Sequence, residues 1–165
     1  MYFFHDTVGF IHLVSAIISM ITGTMILVMK KGTLNHKRVG YVYVAAMAAV
    51  LITAFMIYRL WGGWGLFHYA ALVSSVTLLG GMIPILFKYP KDSYIAFHFS
   101  FMYWSVMGLY GAFFAEIMTR LPSVLYDGPP DALFFQILSV TVGLVMALGG
   151  YYFYRNKDRW EKKFR

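Results

Sequence analysis

Five apolar stretches, roughly residues 8–29, 39–58, 65–87, 94–118 and 132–154, dominate the chain and leave only short polar breaks between them. At about 1.5 Å per helical residue, each is long enough to cross about 30 Å of hydrocarbon. A bilayer interior offers the backbone no water to bond, so such a segment crosses as a helix. The breaks "KKGTLNHKR", "LWGGWG", "KYPKDS" and "RLPSVLYDGPPDA" carry the Gly, Pro, Asn and Asp that stop one helix and cap the next, with Asp131 as a cap after "GPP". The chain reads as all-α, an integral membrane helical bundle in a single domain over 1–165. Its parts are a four-helix core over about 8–118, a fifth transmembrane helix over about 132–154 and a basic tail over 155–165.

Composition excludes the alternatives. Hydrophobic residues make up 60% of the 165, charged residues 13%, and the mean hydropathy is +0.65, values outside the range of a soluble domain. The net charge of +7 would suit nucleic acid, but the cations fall in short runs between the apolar stretches, which points to membrane topology and to no nucleic-acid partner. With the N-terminus outside, all fourteen Lys and Arg except Arg59 and Arg120 lie on the inner side. Translocating Lys and Arg is disfavoured, so the expected location is the cell (plasma) membrane, multi-pass, N-out and C-in. "MYFFHDTVGFIHLVS" has no cation before Lys30, unlike a secretory signal, so the first stretch is expected to stay in the mature protein.

With no cysteine, a metal or cofactor would rely on imidazole, carboxylate or thioether ligands. The histidines fall into a pattern. His12 and His68 lie near the outer ends of the first and third helices, and His36 and His98 near the inner ends of the second and fourth. Besides these, the spans hold almost no ionisable residue except Glu116. The lack of mid-membrane charge disfavours a proton-coupled transporter. Glu116 and Arg120, four residues apart, fit an interfacial pair.

Two histidines facing each other across a four-helix bundle are what a six-coordinate haem iron takes. The leading expectation is a membrane redox protein with two b-type haems, one held by His12 and His68 and one by His36 and His98. Electrons would cross the bilayer, exchanged with a quinone or a redox partner protein. Gly23, Gly40, Gly80 and Gly81 would admit a porphyrin close to the helices. Lys37 and Arg38 would meet haem propionates on the inner side. A first alternative is an outer-face zinc or copper site built from His5, Asp6, His12, His68 and Glu116. A second is a non-catalytic accessory subunit, or a homodimer, packing through the small-residue face Gly143, Ala147 and Gly150 of the fifth helix.

Plainer readings stand beside these. A histidine near a helix end is at ease at the headgroup level, His36 in a basic loop can meet lipid phosphate, and His5 lies close to the terminus. Trp61, Trp64, Tyr151, Tyr152 and Tyr154 read as interfacial aromatic belts. The tail "RNKDRWEKKFR" is a cationic stop on anionic lipid or a docking surface. "TGTMI" at 22–26 and "LGGMI" at 79–83 hint at a parallel repeat of two helix pairs.

The segment His36-Lys37-Arg38-Val39-Gly40-Tyr41-Val42-Tyr43 resembles the His-x-Arg-x-Gly-x-Val-Tyr signature that opens the second helix in a family of bacterial multi-span membrane proteins, a domain of unknown function. His98, Met102 and Ser105 match that family's His-x-x-x-Met-x-x-Ser pattern, and His12 falls where it has an early first-span histidine. The resemblance covers roughly residues 8–118 and implies a four-helix unit with histidines at its helix starts. Where the family tends to carry arginines after the fourth-helix histidine, Phe99, Ser100 and Trp104 stand here, so no anion-binding role comes with the resemblance.

Overall fold

Each apolar stretch forms a helix: α1 (Thr7–Val28), α2 (Leu34–Met56), α3 (Leu66–Phe87), α4 (Tyr94–Leu125) and α5 (Ala132–Phe164). The computed structural model describes residues 7–57, 63–125 and 132–164, and among them there is no strand. All five helices are long and apolar enough to cross a membrane.

Three boundaries differ from the expected ones. Helix α2 begins at Leu34 rather than near 39, because the Thr33 hydroxyl accepts the His36 backbone N–H at 3.2 Å and caps the helix there. His36, Lys37 and Arg38 therefore belong to its first turns. Helix α4 runs on to Leu125, and α5 absorbs the basic tail as far as Phe164. Hydropathy marks where lipid ends, and a helix with good formers continues into water past that point.

The chain forms two units, residues 1–106 and 107–165, dividing within α4. In the first, α1 and α2 pack antiparallel. The His12 ring bonds Thr53 at one end, and at the other a Cβ on Gly23 would stand 3.0 Å from Cε2 of Tyr43. Eleven residues separate His12 from Gly23 and ten separate Tyr43 from Thr53, so the two contacts share one register. Helices α3 and α4 approach most closely at Gly80 and Gly81, where added Cβ atoms would lie 2.8 Å from the Phe101 ring and 2.6 Å from Sδ of Met102. The first half of α4 thus touches α1 through Val106, α2 through Ser105 and α3 through Phe101 and Met102. Among the described residues the most deeply buried side chains are Tyr43, Met47, Val106, Ser19 and Ser105. Large apolar residues such as Ile21, Ile52, Val73 and Val76 face outward instead, as lipid-facing surfaces do.

In the second unit α5 packs on the later part of α4. A Cβ on Gly149 would lie 2.8 Å from Sδ of Met107, and one on Gly111 would lie 3.8 Å from Met146 and Val142. The expected packing face fares differently: Gly143 has nothing within 4 Å and Ala147 is exposed. Within the chain, α5 uses Gly149 for close approach.

Candidate imidazole site at the start of α2 and α4

The turn between α1 and α2 is tight. Gly32 takes φ +76, a left-handed conformation, which lets Lys31 fold back on the end of α1. Its ammonium donates to the carbonyls of Ile26, Leu27 (2.7 Å) and Met29 (3.3 Å), so this cation caps a helix C-terminus. Lys37 and Arg38 remain exposed.

His36, on the first turn of α2, is half-buried, and its Nδ1 is buried with no hydrogen-bond partner among the described residues. His98, just past the start of α4, is also half-buried, and its Nδ1 lies 2.7 Å from the Gly81 carbonyl oxygen. A carbonyl only accepts, so Nδ1 carries the proton and Nε2 the lone pair. This is the tautomer of an imidazole ready to ligate a metal, held by a backbone carbonyl behind it. Lys31 and His98 both act electrostatically on His36.

A buried hydrogen bond sets their depth. Tyr43 Oη and Ser105 Oγ lie 2.8 Å apart, with Tyr43 and Ser105 both 0% exposed. Helices α2 and α4 run in the same direction, and His36 precedes Tyr43 by seven residues, as His98 precedes Ser105. Seven residues are about 10.5 Å and two turns less about 20°, so both histidines stand one equal step from the bond, on the faces that make it. Between the two levels, Gly40 has nothing within 4 Å of an added Cβ, leaving open space one turn from His36. Gly23, Gly80 and Gly81 offer no such space, because Tyr43, Val106, Phe101 and Met102 fill it.

The two quoted motifs open at these two helix starts. A family model described as "Predicted membrane protein (DUF2306)" matches residues 9–152. The chain belongs to that family. The match runs beyond residue 118 and takes in most of α5, so the family's unit includes the fifth helix. No curated protein and no solved structure matches the chain.

The opposite end of this DUF2306 chain is built differently. The Thr53 hydroxyl is committed to the carbonyls of Ala49 (2.7 Å) and Val50 (3.0 Å) on its own helix, so its oxygen accepts Nδ1–H of His12 at 2.8 Å. His12 thus has its lone pair on Nε2. His68, 3% exposed, has the reverse tautomer: its Nδ1 accepts the Gly65 N–H at 3.2 Å, which places the proton on Nε2. The ring caps α3 and stacks on Trp64 at 5.3 Å between centroids. A ligating imidazole donates from its second nitrogen. His68 receives there, so its ring and that of His12 hold opposite tautomers.

The other outer candidates gain no support. His5 and Asp6 lie outside the described residues, as do Arg59, Trp61 and Asp131, and the side chain of Arg120. Glu116 belongs to the second unit. Among the described residues no three His, Cys, Asp or Glu side chains gather as a metal cluster. Sequence reasoning did not single out Tyr43, Thr53 or the Gly81 carbonyl. The signal for the first was present, since both quoted motifs run eight residues and end on Tyr43 and Ser105.

Proposed function

We propose that this is a membrane redox protein whose centre is the imidazole pair His36 and His98, taking one b-type haem at the end of the bundle that bears Lys37 and Arg38. The observation that carries this reading is the equal seven-residue step from the Tyr43–Ser105 bond to the two histidines. When bound, haem iron supplies reversible one-electron transfer. In this reading the Gly81 carbonyl fixes the His98 ring with Nε2 as ligand. The open side of α2 at Gly40 gives a flat apolar ring its room, and Lys37 and Arg38 meet its carboxylates. This end faces the cytoplasm, with the N-terminus outside, since nearly all of the cations flank it.

An absorption spectrum of the detergent-purified protein tests the reading. The expected result is a Soret band and a reduced-minus-oxidised alpha band that His36→Ala or His98→Ala abolishes and His68→Ala leaves in place. No Soret band in protein made with ample haem overturns the redox reading. A band that survives both His36→Ala and His98→Ala moves the centre elsewhere.

A further inference from the structure

The water-side end of α5 has no part in the imidazole site, yet it is built with care. The helix has 33 residues, about 50 Å at about 1.5 Å each, against about 30 Å of hydrocarbon, so its last turns stand beyond the acyl chains. Tyr151, Tyr152 and Tyr154 are all exposed and mark the headgroup level.

Arg155 follows directly. Its Nη1 donates to the Tyr151 hydroxyl at 2.8 Å, and its guanidinium lies 5.8 Å from the centre of the Tyr151 ring. Asn156 donates to the Tyr152 carbonyl at 2.8 Å, and the Trp160 ring packs back on Tyr152 and Phe153 at 5.6 and 6.3 Å. These bonds tie the extension to the membrane segment. Residues 155–165 carry Arg155, Lys157, Arg159, Lys162, Lys163 and Arg165 against Asp158 and Glu161. At about 100° per residue, positions 155, 159, 162 and 163 share one side of the helix and 160 and 164 the other.

We propose that this end of α5 is a binding site for anionic phospholipid headgroups, with Arg155, oriented by Tyr151, as its anchor. A guanidinium held by one acceptor and by the face of a ring keeps its other N–H groups as a planar fork for a phosphate diester. Its place beside an exposed tyrosine belt puts it at phosphate depth. The further cations of residues 155–165 add net positive charge, and a surface cation is worth about fivefold in affinity for an anionic membrane.

Native mass spectrometry of the full-length protein, purified with equal parts phosphatidylglycerol and phosphatidylcholine, tests this by counting retained lipids. Wild type is expected to retain phosphatidylglycerol in preference, with the preference weakened by salt. Arg155→Gln should lower it about fivefold, and Arg155→Gln with Arg159→Gln, Lys162→Gln and Lys163→Gln should remove most of it. Lys88→Gln with Lys91→Gln should retain it, and Tyr151→Phe should fall between wild type and Arg155→Gln. Helix content by circular dichroism confirms that each variant is folded. Equal retention of the two lipids by wild type, or a wild-type preference in the fourfold variant, overturns the proposal.

Discussion

The hydroxyl of Tyr43 on α2 and that of Ser105 on α4 lie 2.8 Å apart in the most buried part of the first unit. The two helices are parallel, so this one bond fixes their relative height as well as their proximity. Everything seven residues back on each helix inherits the same alignment, and there stand His36 and His98.

Removing either hydroxyl is therefore expected to cost stability and also to disturb the histidine pair. A side-chain hydrogen bond between membrane helices is worth about 0.6 kcal/mol on average and up to about 1.7. Tyr43→Phe and Ser105→Ala should each lower stability in detergent by that order, and the double variant should cost less than the two together. Additive losses in a thermal or denaturant unfolding series would show that the bond carries no coupling.

The two glycine positions make a contrasting pair. At Gly81 an added Cβ would meet Met102 Sδ at 2.6 Å and its backbone nitrogen at 3.2 Å, and a backbone atom cannot turn aside. Gly81→Ala should push α3 from α4, lose about 1–3 kcal/mol and loosen the His98 bond to the Gly81 carbonyl. At Gly40 nothing lies within 4 Å, so Gly40→Ala should leave stability unreduced while narrowing the space near His36. Unfolding midpoints and absorption spectra of the two variants should diverge accordingly.

Thr53 holds His12 through an oxygen whose proton is already given to Ala49 and Val50. Thr53→Val keeps the branched shape and deletes the acceptor, which should cost about 0.6–1.7 kcal/mol. Thr53→Ser retains the hydroxyl and should recover most of that. A valine variant as stable as wild type would mean that the α1–α2 register does not depend on this bond.

His68 is expected to behave as a structural residue. His68→Ala removes the acceptor for the Gly65 N–H and the partner of the Trp64 ring, and losing a helix cap costs about 0.5–2 kcal/mol. The melting temperature should fall and any metal-dependent absorption should remain. Loss of that absorption at wild-type stability would return His68 to the list of ligands.

Reading the chain alone located all five helices, because crossing lipid demands a long apolar run and little else does. It also sorted His36 and His98 to one end. Helix ends were less legible: α2 starts where the Thr33 hydroxyl finds the His36 N–H, and α5 continues through charged residues that hydropathy discounts. The proposed roles of the glycines show the same limit. Gly23, Gly80 and Gly81 looked like room for a ligand, and neighbouring side chains take that room.

What the sequence by itself determined was thus the number of apolar helices, the breaks between them and the runs in which the cations gather. All of these follow from one-dimensional counts of apolar length and charge against a slab of fixed thickness. Which way an imidazole faces and which nitrogen holds its proton were decided only by tertiary structure. His98 has its lone pair on Nε2 because the Gly81 carbonyl stands beside Nδ1, and His68 has a proton there because the Gly65 N–H does. A hydrogen bond is short and directional, and its partner is chosen by packing, which pattern alone does not encode.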